Sequence, residues 1–86
     1  MKLRMYEFYD AKTESWSAPF FQPTRGDAER LFRRTASDKG ENNNIALYPG
    51  DFTFFECGEF DVFTGVLIQY ESKFNLGLAL EYLPKQ

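Results

Sequence analysis

Residues 2–9 combine aromatic and long apolar side chains with single charges and contain no Gly or Pro, a pattern typical of a β-strand. Both faces of this strand carry apolar groups, which favours a central position in a sheet. Residues 10–15 are polar and predict a turn, and residues 16–21 predict a second extended segment. The chain from 2 to 21 is therefore expected to form a hairpin. Pro19 cannot donate to a ladder, so it places the second segment at a sheet edge or ends it early.

The next segment has apolar residues at helical spacing and predicts a helix on one side of the sheet. Thr24 is the expected N-cap, and Asp27 lies in the first turn, where the helix dipole favours an acidic group. Lys39 and Gly40 are expected to close the helix as a cation and a C′ glycine. The face that should be buried consists of Ala28, Leu31, Phe32, Thr35 and Ala36.

A second hairpin is predicted after a loop. Residues 41–50 hold an Asn run and a Pro-Gly pair, which indicate a loop with two turns. Residues 51–60 alternate as a strand, with Gly58 at a bulge or at the strand end. After a turn at 61–65, the apolar run at 66–70 is expected to return as the partner strand.

Residues 75–83 fit a short helix and a strand equally well, and we favour a short terminal helix although Gly77 weakens it. The predicted order is β-β-α-β-β-α. We therefore expect a small α+β domain spanning 1–86, in which two β-hairpins form an antiparallel sheet with one packed helix and a short C-terminal helix. Eighty-six residues suffice for one such domain.

Composition limits the chemistry that the chain can perform. It has no His and one Cys, which excludes an internal disulfide, the usual zinc sites and histidine-based catalysis. Cys57 alternates with Phe in a predicted strand, so we interpret it as structural. We predict no enzyme, metal site or cofactor. The acidic residues near the second hairpin are interpreted as solvated strand-end and turn residues: Asp51, Glu56, Glu59 and Asp61.

The sequence shows no apolar segment of the kind that targets or anchors a protein. The first residues lack the apolar region of a signal peptide, and no uncharged stretch is long enough for a membrane helix. Together with the single cysteine, this predicts a cytoplasmic protein without a membrane partner.

The charge is unevenly distributed along the chain. Ten basic and thirteen acidic residues give a net charge of −3, yet the predicted helix region from Arg25 to Lys39 carries five basic and three acidic residues. Arginines on its exposed face are placed to contact phosphates, flanked by Arg25 and Lys39: Arg30, Arg33 and Arg34. The alternative interpretation is a solvated face in which Glu29 pairs with Arg33 at i,i+4 spacing.

Ten Phe, five Tyr and one Trp make the chain rich in aromatic side chains. Most of the Phe rings should form the core. Tyr6, Tyr9 and Trp16 tolerate water at one end, and an aromatic strand face beside basic side chains is typical of single-strand binding. Tyr6 and Trp16 are therefore candidates for base stacking, and Lys2 and Arg4 are further candidate contacts on the same hairpin.

Four segments, 1–12, 18–21, 26–32 and 49–65, resemble in order and spacing the small nonstructural protein of gokushoviruses, the Microviridae branch with circular single-stranded DNA. The most specific part is the Pro-x-Asp-Phe…Gly-x-Phe-Asp…Thr-Gly pattern within 49–65. The resemblance implies a non-enzymatic accessory protein in the cytoplasm of the infected bacterium. It would bind viral DNA and favour the switch from duplex replication to single-strand synthesis for packaging.

Two functions remain open on the sequence. The first is binding of single-stranded DNA during viral DNA replication. The second is a protein-interaction module that binds a viral or host replication protein through an aromatic patch or a sheet edge. A homodimer is compatible with both, because so small a chain gains core by pairing.

Overall fold

The computed structural model describes residues 1–40 and 42–84, in which one antiparallel sheet carries a helix on one of its faces. The predicted α+β class, the antiparallel sheet and the single main helix are confirmed. The elements are β1 (Lys2–Asp10), β2 (Ser15–Trp16), β3 (Phe20–Gln22), α1 (Arg25–Ser37), α2 (Asn44–Leu47), β4 (Phe52–Asp61), β5 (Leu67–Leu78) and a 3₁₀ helix (Ala79–Tyr82).

The first hairpin forms as predicted, and its second arm is interrupted at Pro19. β1 pairs antiparallel with β2, where Tyr9 faces Trp16, and with β3, where Tyr6 faces Phe20. The residues between β2 and β3 have no strand structure, as expected where a proline cannot donate to the ladder. The sheet order is β2-β1-β4-β5, with β3 also on β1, so β1 is a central strand.

Helix α1 begins at the predicted cap. The Thr24 side chain accepts a hydrogen bond from the Asp27 amide at 3.1 Å, which satisfies one free donor of the first turn. The predicted glycine closure at Gly40 is wrong, because the helix ends at Ser37 and Asp38 already has extended backbone. The Asn43 side chain instead donates to the carbonyl oxygens of Thr35 and Asp38, at 2.9 and 2.6 Å.

The predicted 41–50 loop contains a short helix that the sequence pattern did not reveal. Helix α2 spans Asn44–Leu47, and the Asn43 side chain caps it by accepting from the Ala46 amide at 3.3 Å. Ile45 and Ala46 are buried against the body of the domain. Asn43 therefore joins the end of α1 to the start of α2.

The core lies between α1 and the sheet and is built from aromatic rings. Phe32 of α1 stacks on Phe54 of β4, with ring centroids 4.0 Å apart and ring planes 11° from parallel. Tyr6, Phe8 and other rings meet this pair edge-on. Each buried ring removes roughly 150–250 Å² from water, so a chain of this length obtains a dense core.

The second hairpin is longer than predicted. β5 continues beyond residue 70 to Leu78, where the chain turns directly into the 3₁₀ helix, so residues 75–83 are part strand and part helix. Gly77 has a φ of +105°, and a Cβ there would collide with the Glu81 carboxylate. That carboxylate accepts from the Leu78 amide at 2.8 Å, so glycine permits the tight reversal.

The predicted bulge at Gly58 is confirmed. The register of β4 and β5 shifts between Glu56 and Gly58, and a Cβ on Gly58 would collide with the Ile68 carbonyl oxygen. The close approach of the two backbones therefore requires glycine at this position.

Candidate nucleic-acid interface

Helix α1 divides into a buried stripe and a basic face. Ala28, Phe32 and Ala36 are fully buried at the sheet, while the arginines predicted to contact phosphate are all exposed: Arg30, Arg33 and Arg34. The buried residues are four positions apart and lie on one side of the helix, so the three arginines on the other side face solvent. Lys39 is also exposed, just beyond the end of the helix.

The three arginines are not paired with acidic groups in the described part of the chain. None of the ion pairs within residues 1–40 and 42–84 includes them, and the Glu29–Arg33 pair of the alternative interpretation is not formed. The Arg33 guanidinium instead lies over the Tyr82 ring, 5.6 Å from its centroid. The face of α1 therefore presents positive charge that no described carboxylate approaches within 4 Å.

Arg25 and Arg4, also predicted to contact phosphate, converge on one buried carboxylate. The Arg25 Nε and the Arg4 Nη1 lie 3.2 and 3.5 Å from Glu56 Oε1. Glu56 is only 3% exposed, so its interpretation as a solvated acid is wrong. Glu56 lies on the same strand face as Phe52 and Phe54, so its side chain is buried under α1. The two paired arginines offset the free energy that the carboxylate loses when it leaves water.

Two tyrosine hydroxyls complete the network around Glu56. Tyr6 donates to Oε1 at 3.1 Å, and Tyr70 donates to Oε2 at 2.9 Å. Burial alone would raise the pKa of Glu56, but the hydrogen bonds from Arg25, Tyr70 and Tyr6 outweigh it and hold that pKa below its usual range. Burial and the hydrogen bond to Glu56 raise the pKa of Tyr70 to about 12. Glu56 therefore stays ionised and the tyrosines stay neutral donors.

Arg25 also contacts an aromatic ring beside this network. Its guanidinium lies 4.6 Å from the centroid of the Phe74 ring, which is about half exposed. The hydrogen bond to Glu56 raises the pKa of Arg25 further above neutrality. Arg25 is thus held in place at the start of α1, with part of its surface open to solvent.

The first hairpin does not offer the stacking surface that was predicted. Tyr6 has no exposed surface, because its ring packs under α1 against Phe32, so no base can stack on it in this structure. Lys2 is exposed, but its Nζ lies 3.8 Å from the Glu59 carboxylate. Of the candidates on this hairpin, Trp16 alone is an exposed aromatic residue, at 44%.

Trp16 lies on the opposite face of the sheet from α1. Its ring contacts Tyr9 and Phe55, with centroid distances of 4.8 and 5.0 Å, and Lys73 Nζ lies 3.8 Å from its centroid. Phe55 follows Phe54, whose ring points to α1, so the two rings lie on opposite faces. The arginine face and Trp16 therefore form separate surfaces.

Cys57 is buried on the same outer face as Trp16, where it is hydrogen-bonded to Glu7. Its Sγ donates to Glu7 Oε1 at 3.2 Å, and Lys73 Nζ lies 2.7 Å from the same oxygen. Burial, reinforced by the nearby Glu7 carboxylate, raises the pKa of the Cys57 thiol to about 12. The thiol therefore stays protonated at neutral pH, in keeping with a structural role.

The other acidic residues of the second hairpin do not gather into a metal site. Among residues 1–40 and 42–84, no group of three or more His, Cys, Asp or Glu side chains is placed to hold a metal ion. Asp61 organises the turn after β4, because its Oδ1 accepts from the amides of Phe63 and Thr64 at 2.9 and 3.3 Å.

The fold and this surface define a small α+β domain that exposes three arginines on one face of its main helix. A family described as Phage ORF5 protein matches residues 3–82, and the chain belongs to that family. No curated protein and no solved structure matches the chain. No helix in the described part of the chain is long and apolar enough to cross a membrane.

Proposed function

We propose that this protein is a non-enzymatic phage accessory protein that binds single-stranded DNA through the face of α1. The observation that carries this proposal is the set of exposed arginines that form no ion pair with any carboxylate of residues 1–40 and 42–84: Arg30, Arg33 and Arg34. Guanidinium groups within about one helical turn suit the spaced, singly charged phosphates of a nucleic-acid strand. Lys39 is exposed just beyond the end of the helix and would extend this surface, whereas Arg25 at the start of the helix is already paired with Glu56.

The family and the sequence resemblance support a role for this binding in the phage life cycle. The chain belongs to a phage family, and its motifs resemble the small nonstructural protein of gokushoviruses. We therefore propose that the protein acts in the cytoplasm of the infected bacterium, in viral DNA replication or in the switch to single-strand synthesis for packaging. Retention of single strands is a task for a binding protein and needs no catalytic group.

A salt titration with a fluorescent single-stranded oligonucleotide tests the proposal. Binding to phosphates releases counterions, so the logarithm of the affinity should fall linearly with the logarithm of salt concentration. Each phosphate contact contributes about 0.7 to the slope, so Arg30→Gln with Arg33→Gln and Arg34→Gln should reduce the slope by about 2. Absence of binding by the unaltered protein at low salt would contradict the proposal.

A matched pair of single substitutions separates a local contact from the effect of total charge. Arg34→Gln and Lys12→Gln each remove one positive charge from an exposed position, Arg34 on α1 and Lys12 in the turn of the first hairpin. We expect Arg34→Gln to weaken binding several-fold and Lys12→Gln to leave it nearly unchanged. Equal effects would mean that only the total charge matters and that α1 is not the interface.

One observation favours the second function, a protein-interaction module. The turn between β4 and β5 exposes Val62, Phe63 and Val66, most of all Phe63 at 83%, and the adjoining start of β5 exposes Leu67 and Ile68. Asp61 and the left-handed Gly65 hold this turn in shape, so the exposed tip is a structured feature. A viral or host replication protein with an apolar groove would fit it.

A phage carrying Phe63→Ser tests this second function. If the tip binds a replication protein, the variant phage should yield less single-stranded genome while the purified protein retains its oligonucleotide affinity. Normal growth of the variant phage would contradict the proposal that the tip binds a partner protein.

A further inference from the structure

β5 is an edge strand with an unusually long exposed side. The sheet order ends at β5, and no strand among the described residues pairs with its outer side. The strand runs for 12 residues, and most of its side chains are exposed. An exposed strand edge carries a row of backbone donors and acceptors that another strand can satisfy.

In the middle of β5, residues 70–73 are not paired with residues of the neighbouring strand β4. Glu56 of β4 pairs with Phe74, and Gly58 pairs with Gln69, so the four residues 70–73 stand opposite Cys57 alone. Extra residues in one strand of a bulge are left outside the regular ladder. A new partner strand would therefore stabilise the centre of β5 more than any other part of the sheet.

The sequence of β5 is symmetric in its chemistry about Ser72. Residues 68–76 read Ile-Gln-Tyr-Glu-Ser-Lys-Phe-Asn-Leu. Moving outward from Ser72, opposite charges come first, then two aromatic rings, then two amides and then two aliphatic side chains. An antiparallel pair of identical strands brings such mirror positions directly opposite one another.

We propose that two copies of this chain pair antiparallel through β5, with Ser72 of each copy on the twofold axis. Glu71 of one copy then lies opposite Lys73 of the other, and Tyr70 lies opposite Phe74. Each of these contacts occurs twice, as an isologous interface requires. The result is one sheet that continues from β2 of the first copy through both β5 strands to β2 of the second.

The charges on β5 select this register over its neighbours. A shift of two residues one way places Glu71 against Glu71, and a shift the other way places Lys73 against Lys73. Like charges directly opposite each other destabilise a strand pair, so both shifts are disfavoured. Charged side chains on an edge also discourage pairing with unrelated strands, which favours a second copy as the occupant.

The pairing of two copies would bury side chains that are exposed in the single chain. Ile68 and Phe74 are each about half exposed on β5, and cross-strand neighbours from the second copy would lie beside them. Opposite residues of an antiparallel pair point to the same side of the sheet. Both copies of α1 therefore lie on one face of the joined sheet.

Cysteine cross-linking tests the register directly. Ser72→Cys places two thiols directly opposite, within the Cα separation of about 4.5–5.5 Å that a disulfide accepts. Gln69→Cys is equally exposed on the same strand, but its two copies would lie roughly 20 Å apart. We expect Ser72→Cys to form a covalent dimer under mild oxidation and Gln69→Cys to remain monomeric, while buried Cys57 stays unmodified. Equal cross-linking of both variants, or of neither, would overturn the proposal.

Charge reversal gives a second test that leaves the backbone unchanged. Glu71→Lys places an introduced lysine opposite Lys73 twice in each dimer, and Glu14→Lys makes the same charge change in the exposed turn of the first hairpin. We expect Glu71→Lys to raise the dissociation constant of the dimer about tenfold or more, measured by sedimentation. Glu14→Lys should leave it nearly unchanged. A wild-type protein that sediments as a monomer up to millimolar concentration, or equal effects of the two variants, would overturn the proposal.

Discussion

Glu56 accepts hydrogen bonds from side chains of three other elements: β1, α1 and β5. The strand alternation places Glu56 on the same face of β4 as Phe52 and Phe54. Because those two side chains are apolar, this position indicated that Glu56 is buried. The partners of Glu56 could not be predicted from the local pattern, because Arg4 and Arg25 lie 52 and 31 positions away in the chain. Only the folded sheet brings these charges together.

We expect Glu56→Gln to lower the free energy of unfolding by about 1–3 kcal/mol. The expected loss is smaller than for a fully buried ion pair, because both arginines are partly exposed and solvent screens their charges. Glutamine keeps the shape but removes the charge that Arg4 and Arg25 face. Glu59→Gln is the control, because Glu59 pairs with a well-exposed Lys2, and it should cost less than about 0.5 kcal/mol. Urea unfolding measures both, and equal values would show that the network contributes no more than a surface pair.

The pH dependence of stability follows from the same carboxylate. The folded protein lowers the pKa of Glu56 below its ordinary 4.5, so its contribution is complete above that pH and is lost as acidification protonates the folded protein. Stability should therefore fall as the pH drops below about 4.5. Glu56→Gln should flatten this dependence, leaving the part due to the other carboxyls with a lowered pKa. These are Glu7, whose pKa is lowered by Lys73 and Cys57 against the effect of burial, and Asp61, whose pKa is lowered by hydrogen bonds from the Phe63 and Thr64 amides. Parallel pH profiles of the wild type and the variant would contradict this assignment.

At the scale of elements, the predictions succeeded where a pattern extends over several turns or residues. The strand at 52–61 follows from alternation, and α1 follows from its apolar stripe and the Thr24 cap. Helix α2 has four residues, too few for a periodic pattern, and it depends on Asn43 bridging to α1. The end of β5 depends on contact between Gly77 and Glu81, which local propensity does not describe.

Gly77→Ala tests the reversal from β5 into the 3₁₀ helix. Alanine would have to adopt a positive φ and would displace the Glu81 carboxylate, so we expect a loss of about 1–3 kcal/mol in unfolding free energy. Gly50→Ala is the matched control, because a Cβ there meets nothing within 4 Å and its φ is not left-handed. A small effect at both glycines would show that the reversal tolerates a side chain.

At the scale of the whole molecule, the sheet separates two candidate DNA-binding surfaces. The arginines of α1 lie on one face, and Trp16 lies on the other with Tyr9 and Phe55. The sequence made Tyr6 and Trp16 of the first hairpin joint candidates for base stacking. Alternation sends them to opposite faces, and α1 then covers Tyr6 and leaves Trp16 outside.

This separation makes the single tryptophan a reporter of where DNA binds. If a single strand follows the arginines of α1, its bases lie across the sheet from Trp16, whose ring already contacts Lys73 and two aromatic neighbours. We therefore expect saturating oligonucleotide to leave the intensity and wavelength of Trp16 emission unchanged while anisotropy of the labelled oligonucleotide reports complete binding. Stacking of a base on the indole would quench the emission strongly. Such quenching, lost in Lys73→Gln but retained in Arg34→Gln, would place the DNA on the outer face and contradict the α1 interface.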